Sequence, residues 1–223
     1  MTVRSSRAQA AFGAAGGLLL VVALGLLVRI QLVQEEIDLE WMKEIVEHRA
    51  PVWELPSRLF DFIGGGWFAI WVLPIAGAVV FLVVRRPWAA LTFILTSAIS
   101  AGIVQLLKVA FGRPRPEEIL LQLDSGSYPS GHVANAATVA VLLTLLLARW
   151  WLVAAGAVYV VLMALSRTYL GAHWVTDTIG GALVGVAVSF GMWAAFAPRL
   201  GRERSRERSR ERELPAPTPS PAE

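Results

Sequence analysis

The chain has 223 residues, of which 56% are hydrophobic and 17% are charged, and it carries a formal net charge of +3 and no cysteine. An average soluble domain is about one quarter charged, so this composition excludes an ordinary water-soluble globule, a disordered chain and a nucleic-acid-binding protein. The lack of cysteine excludes disulfide frameworks, cysteine-based zinc sites and thiol catalysis. The composition therefore predicts a polytopic membrane protein of the all-α class.

Six apolar stretches are long enough to cross a bilayer core, which takes about 20 residues of helix. They cover residues 8–28, 62–84, 88–109, 131–148, 150–165 and 175–197. The first follows Arg4 and Arg7, but its apolar run is longer than a signal-peptide core and no cleavage pattern follows it. We interpret it as an uncleaved anchor and predict that residues 1–198 form a single six-helix transmembrane bundle.

The connection after the first stretch has a pattern of its own. Residues 34–48 place Ile37, Trp41 and Ile45 at four-residue spacing, with acidic residues between them. This pattern predicts an amphipathic helix lying on the membrane surface, the alternative being a solvated connector. In the second stretch, Pro74 and the glycines at 64–66 are predicted to bend the helix.

The last segment, residues 199–223, repeats RERS and then becomes proline-rich, a composition typical of disorder. If the N-terminus is cytoplasmic, 12 Lys and Arg residues lie on the cytoplasmic side and eight on the other. Cytoplasmic loops carry the excess of basic residues. We therefore predict an integral protein of the plasma or inner membrane with both termini in the cytoplasm.

Three polar blocks lie at the ends of the later stretches, and polar residues there are functional candidates because they are costly in a membrane. Lys108 and the sequence FGRPRP at 111–116 end the third stretch. YPSGH at 128–132 opens the fourth, and SR at 166–167 and HWVTD at 173–177 flank the last loop. These ends share one membrane face whichever way the chain is inserted. The blocks are therefore predicted to form one site, which faces away from the cytoplasm in the orientation above.

Part of this set suits a phosphorylated ligand. Lys108, Arg115 and Arg167 are expected to be fixed cations at the site with no matching carboxylate nearby. Such a set calls for a polyanion, and guanidinium groups bind phosphate oxygens in pairs. Ser130 and Gly131 lie at a predicted helix N-terminus, where unpaired N–H groups and the helix dipole favour an anion.

The remaining residues suit acid–base and nucleophilic chemistry. His173 and Asp177 are four residues apart and share a helix face. The carboxylate can therefore orient the imidazole and make its other nitrogen a better nucleophile. His132, from a different helix, is left to act as a proton donor.

The three blocks resemble the signature of the type-2 phosphatidic acid phosphatase family, K-x6-R-P, P-S-G-H and S-R-x5-H-x3-D, and all eleven specified positions match in order. The resemblance implies a membrane lipid phosphatase that works through a phosphohistidine and needs no metal or other cofactor. His173 would be the nucleophile, Asp177 would orient it, and His132 would act as acid and then as base. The phosphate would be held by Lys108, Arg115, Ser130, Gly131 and Arg167.

The sequence leaves the substrate open. Undecaprenyl diphosphate, phosphatidylglycerol phosphate and phosphatidic acid all fit the cation cluster, and Arg113 favours a diphosphate because it could contact a second phosphate. One alternative function is a lipid phosphotransferase that uses the same phosphohistidine, and another is a non-catalytic protein that binds or transports lipid phosphates. The predicted partners are the lipid substrate and membrane lipids, with no nucleic acid, and the sequence predicts no oligomeric state.

Overall fold

A computed structural model of the protein describes residues 3–32, 34–121 and 126–213, and all regular secondary structure in these ranges is helical. The all-α prediction is confirmed. The α-helices in chain order are α1 Val3–Arg29, α2 Glu40–Glu47, α3 Glu54–Gly64, α4 Leu73–Val83, α5 Pro87–Phe111, α6 Gly131–Leu147, α7 Trp151–Tyr169 and α8 Val175–Glu213.

Four helices in the described part of the chain are long and apolar enough to cross a membrane, within α1, α5, α7 and α8. They correspond to the first, third, fifth and sixth predicted spans. The second predicted span is a bent pair of helices, and the fourth is the apolar helix α6, whose 17 residues extend about 26 Å. The protein is therefore an integral membrane protein with six apolar helical segments, two of which differ from simple spans.

The bent pair consists of α3 and α4, joined through a π-helical turn at Phe68–Val72. The two parts are inclined by 47°. The break lies where the sequence predicted it: α3 ends at Gly64, and Gly66 has a φ of +58°, a conformation that glycine adopts without strain. Pro74 comes after the π-helical turn, inside a helical stretch that continues to Val83, whereas the break lies between Gly64 and Phe68. The bend is therefore at the glycines and not at Pro74.

Helix α8 lies at the centre of the fold and packs against α1, α5 and α6. Glycines allow the close approach of α6 and α8. A Cβ atom on Gly181 would lie 2.4 Å from the carbonyl oxygen of Ser130, and one on Gly185 would lie 2.5 Å from that of Ala134. Small residues permit such contacts between membrane helices. This packing brings the N-termini of α6 and α8, and the histidines beside them, to the same end of the bundle.

The segment after α1 is helical, as predicted: a π-helical turn at Gln34–Leu39 leads into α2. Ile37 and Trp41 are exposed, whereas Asp38 and Met42 are buried. The turn packs on α8 and α2 packs on α7. The segment is therefore attached to the end of the bundle that holds the three polar blocks and is not a free connector.

The prediction of disorder from residue 199 is wrong for residues 199–213, because α8 continues to Glu213. The Glu203 carboxylate accepts hydrogen bonds from the backbone N–H groups of Trp88 (2.7 Å) and Ala89 (3.2 Å) at the start of α5. Arg204 donates to the carbonyl of Leu146 at 2.8 Å, near the end of α6. These bonds satisfy helix-end groups that lack intrahelical partners, and composition gives no sign of them. Residues 214–223 lie outside the described part of the chain.

Candidate active site

The predicted site residues gather at one end of the bundle, around a cavity of about 530 Å³. The C-terminal ends of α5 and α7 and the N-terminal ends of α6 and α8 meet there, as the order of spans requires. Five of the eight predicted residues line the cavity: Lys108, Arg115, Gly131, His132 and His173. Ser130, Arg167 and Asp177 are buried among or beside them and are not lining residues.

His173 lies in the short loop before α8, and its Nδ1 is 3.5 Å from Oδ2 of Asp177. This is longer than an ordinary N–H···O hydrogen bond, and Nδ1 has no hydrogen-bond partner among the described residues. Burial lowers the pKa of His173 to about 3, although Asp177 opposes the shift. The imidazole is therefore neutral near pH 7, which leaves a lone pair on the ring for nucleophilic attack.

Asp177 is fully buried and is held by several donors. Its Oδ2 accepts hydrogen bonds from the backbone N–H of Trp174 at 2.9 Å and from the hydroxyl of Ser127. Its Oδ1 accepts one from Arg113 at 2.5 Å. A carboxylate fixed from three sides is suited to orienting the neighbouring imidazole.

Arg113 does not serve the role that the sequence suggested. Its guanidinium bridges two buried carboxylates, with Nη1 at 2.5 Å from Asp177 and Nη2 at 2.5 Å from Asp38. It also lies over the ring of Trp174, 5.4 Å from the centroid. With both donor groups engaged and only 5% of the residue exposed, Arg113 does not face the cavity to meet a second phosphate. Arg113 therefore gives no support to a diphosphate substrate.

Asp38 was missed in the sequence. It accepts hydrogen bonds from the backbone N–H of Thr176 (3.0 Å) and from its hydroxyl (2.6 Å) in the first turn of α8. It thus satisfies one of the N–H groups that a helix start leaves unpaired. The only signal in the sequence was an acidic residue between Ile37 and Leu39, which the amphipathic pattern attributed to the polar face.

Lys108 and Arg115 supply positive charge to the cavity. The ammonium group of Lys108 donates to the carbonyl of Gly126 and, at 3.5 Å, to that of Ser127. Arg115 donates to the carbonyls of Ala172 and Gly126. Burial lowers the pKa of Arg115, yet an arginine keeps its charge at physiological pH. Hydrogen bonds to main-chain carbonyls thus hold these two cationic side chains in place at the cavity, an arrangement that is suited to an anionic ligand.

His132 lies in the first turn of α6 and contacts a carboxylate that the sequence interpretation also missed. Its Nε2 is 3.0 Å from Oδ1 of Asp61 and 3.1 Å from the Asp61 carbonyl. The expectation that Arg167 has no carboxylate partner is wrong, because it donates to the same Asp61 carboxylate and, at 3.1 Å, to the carbonyl of Ser57. Asp61 stands at the start of the second predicted span, on the face where the other blocks lie, so the rule that found those blocks could have found it.

Glycines bring α3 close to His132. A Cβ atom on Gly65 would lie only 2.1 Å from Nε2 of His132, so any side chain at this position would displace the imidazole. At Gly131 a Cβ would meet Val104 at 3.5 Å, which is ordinary contact, and packing alone does not require glycine there. The Ser130 hydroxyl beside it is buried and has no hydrogen-bond partner among the described residues.

Among the residues that the structure describes, no group of three His, Asp or Glu side chains could hold a metal ion. Instead, each of the two histidines at the cavity has one carboxylate neighbour, Asp177 for His173 and Asp61 for His132. The cavity therefore combines two cations with two separate His–Asp pairs at one end of a helical membrane bundle.

The profile of the PAP2 superfamily matches residues 89–200, half of the chain and all three polar blocks. The chain belongs to this superfamily, and the resemblance found in its motifs is confirmed.

Three known proteins show the similarity in detail. Phosphatidylglycerophosphatase B of Bacillus subtilis (strain 168) is 32% identical over 139 residues, which cover 57% of this chain and 68% of that protein. The undecaprenyl-diphosphatase of Sulfolobus acidocaldarius is 45% identical over 65 residues, 29% of this chain and 31% of that protein. The crystal structure of a transmembrane PAP2-type phosphatidylglycerolphosphate phosphatase from Bacillus subtilis superposes with a TM-score of 0.74 and 27% identity, covering 84% of this chain and 97% of that one. These relatives are membrane lipid phosphatases.

Proposed function

We propose that this protein is a lipid phosphatase that hydrolyses the phosphate ester of a membrane lipid through a phosphohistidine intermediate. The observation that carries the proposal is the placement of two histidines, each beside a carboxylate, at one cavity that also holds Lys108 and Arg115. Binding or transport alone requires the cations but neither a nucleophile nor a proton donor. The enzyme is therefore favoured over a non-catalytic lipid-phosphate carrier.

In the first step, Nε2 of His173 attacks phosphorus. A nitrogen–phosphorus bond forms as the bond from phosphorus to the lipid oxygen breaks. The protonated His132 gives its proton to the departing alkoxide, because an alkoxide is a poor leaving group without one. Asp177 supports the positive charge that develops on His173 during attack.

In the second step, the now neutral His132 takes a proton from water as that water attacks the phosphohistidine. The nitrogen–phosphorus bond breaks, inorganic phosphate is released, and His132 is protonated again. Since Asp61 engages Nε2 of His132, Nδ1 is the nitrogen that exchanges the proton with the substrate and with water. Asp61 is thus a positioning residue that also stabilises the imidazolium.

The phosphate oxygens are held by Lys108, Arg115 and the start of α6 at Ser130 and Gly131. Charge stabilisation and positioning are the main protein contributions to phosphoryl transfer. Arg167 adds positive charge behind His132, where Asp61 and Ser57 fix its guanidinium. Because these cations occupy the place that magnesium has in other phosphoryl-transfer enzymes, we expect hydrolysis to proceed in the presence of a chelator.

The cavity also accounts for a lipid substrate. Beyond the polar end, its walls are formed by apolar residues of the bent pair and of α5, including Ile70, Trp71, Ile75, Ile94 and Ala98. A phosphate bound between the histidines would place its lipid chains along these walls. Since Arg113 is committed to carboxylates, a monophosphate such as phosphatidylglycerol phosphate is the first candidate, and undecaprenyl diphosphate is the second.

We further propose that both termini are cytoplasmic and that the cavity opens to the extracytoplasmic face, on the distribution of Lys and Arg. The chain has no cysteine, so single introduced cysteines report sidedness directly. In intact cells, a membrane-impermeant maleimide should label His48→Cys and should label Ser209→Cys only after lysis. The reverse pattern would contradict the orientation.

The test of the function is phosphate release by purified protein from a panel of lipid monophosphates and diphosphates, with a chelator present. Wild type and the control His48→Ala, whose histidine is exposed, should release phosphate, and His173→Ala should not. Protein that binds these lipids without releasing phosphate from any of them would favour the carrier. Transfer of phosphate to an added lipid acceptor instead of water would favour the phosphotransferase.

A further inference from the structure

A second cavity lies at the opposite end of the bundle. It has a volume of about 870 Å³ and is lined by Leu82, Val84, Arg85, Pro87, Trp88, Arg199, Arg202, Glu203, Arg206 and Glu207, a set we call the basic crevice. Along α5, Trp88 and Lys108 are 20 residues apart, which is about 30 Å of helix. This matches the thickness of a bilayer core, so the basic crevice lies at the membrane face opposite the candidate active site.

The charge of the basic crevice is unbalanced. Four arginines line it, together with two glutamates, and the glutamates already have partners. Glu203 and Glu207 lie 3.7 and 3.8 Å from the buried Arg86, and Glu203 also accepts the two N–H groups at the start of α5. Among the described side chains, none of the four lining arginines forms an ion pair with a carboxylate. The crevice therefore presents net positive charge.

The basic crevice is formed by ordered parts of the fold. As described above, Glu203 attaches α8 to the start of α5, and Arg204 attaches it to the end of α6. The arginines around these two residues therefore project from a fixed helix. The guanidinium of Arg199 stacks over the ring of Trp88, with its Cζ 5.0 Å from the centroid. Tryptophan and arginine at this depth are typical of the region of lipid headgroups.

An apolar edge adjoins these charges. Leu82, in the last turn of α4, and Val84, directly after that helix, are 54% and 52% exposed. Helix α4 itself is apolar all round. A ligand of the crevice would thus combine an anionic group, which arginines bind in pairs through their donors, with an apolar part that follows α4 into the bilayer.

We propose that the basic crevice binds the headgroup of an anionic phospholipid, with the phosphate among Arg85, Arg202 and Arg206 and the acyl chains along α4. The proposal is independent of the function of the other cavity, because it uses none of the same residues.

The experiment measures binding of fluorescent phosphatidylglycerol to the full-length protein in a neutral detergent, with fluorescent phosphatidylcholine as the reference lipid. The double variant Arg202→Gln/Arg206→Gln should weaken phosphatidylglycerol binding by roughly 30-fold at low salt, because each basic residue near an anionic lipid contributes about a factor of five. Phosphatidylcholine binding should not change. The matched control is Arg149→Gln/Arg208→Gln, which removes two exposed arginines at the same end of the bundle but outside the crevice, and it should weaken binding less than threefold.

Equal losses in the two double variants would overturn the proposal, because general surface charge would then explain the affinity. Unchanged binding in Arg202→Gln/Arg206→Gln would overturn it as well. If that variant aggregates, the single variant Arg85→Gln tests the proposal instead. Arg85 lines the crevice from the turn before α5 and makes none of the contacts that hold α8. It should weaken phosphatidylglycerol binding about fivefold, and no change would overturn the proposal.

Discussion

Replacement of Asp61 by asparagine tests the proton donor of the proposed reaction. The substitution keeps the shape of the side chain and an oxygen for Arg167, but it removes the negative charge 3.0 Å from Nε2 of His132. Two unit charges about 4 Å apart interact by about 4 kcal/mol at an effective dielectric constant near 20. The Asp61 side chain is 32% exposed, so we take about half of this, or about 2 kcal/mol, which is roughly a 30-fold loss of rate.

The assay compares kcat/KM for two kinds of phosphate ester, because this quantity reports the steps up to formation of the phosphoenzyme. A lipid monophosphate has an alkoxide leaving group that needs a proton, whereas the nitrophenolate of p-nitrophenyl phosphate leaves without one. Asp61→Asn should lose about 30-fold on the lipid and only a few-fold on the aryl ester. The control Glu54→Gln, in the same helix and in an exposed ion pair with Arg58, should change neither.

Equal losses on the two esters would refute this reasoning, because a merely structural role for Asp61 would affect all substrates alike. Full activity on the lipid would refute it more simply. Thermal unfolding of Asp61→Asn in detergent distinguishes a folding defect from either result.

Gly65→Ala should lower phosphate release about tenfold or more, because its Cβ would lie 2.1 Å from Nε2 of His132. The control Gly102→Ala should be neutral, because a Cβ there would have nothing within 4 Å. Equal phosphate release by the two variants would contradict the contact between Gly65 and His132. The depressed pKa of His173, about 3 against 6.5, means that the unfolded chain takes up this proton first as the pH falls. Its contribution to the free energy of unfolding is therefore present above about pH 6.5 and is lost towards pH 3. Acidification from about pH 7 to pH 5 should thus lower the unfolding temperature of wild type more than that of His173→Gln, and parallel changes would contradict the shift.

Much of the fold could be predicted from hydrophobicity alone. The six apolar segments, the helix after the first of them and the bend at the glycines follow from local patterns, because a membrane requires helices with internally satisfied hydrogen bonds. The helical tail could not be predicted in this way. Its stability depends on Glu203 and Arg204 reaching the ends of α5 and α6, which are more than 55 residues away in the sequence.

The same division applies to the candidate site. Lys108, Arg115, His132 and His173 converge because span ends alternate between two faces, a consequence of topology that the sequence contains. The roles of Asp38 and Asp61 depend instead on the angles at which two segments approach the bundle. These segments are the π-helical turn at Gln34–Leu39, which contains Asp38, and α3, which contains Asp61. The role of Arg113 could not be predicted for the same reason. Its carboxylate partners, Asp38 and Asp177, lie 75 and 64 residues away in the sequence, whereas its neighbours in the sequence are prolines and another arginine.

Trapping of the phosphoenzyme tests the central claim most directly. Purified protein is mixed with radiolabelled aryl phosphate and quenched in alkali, in which phosphohistidine survives. The label should be found on the peptide that contains His173, should increase in His132→Gln because the second step is slowed, and should be absent from His173→Ala. Rapid phosphate release with no label on the protein at any time would mean that water attacks phosphorus directly, and would contradict the account.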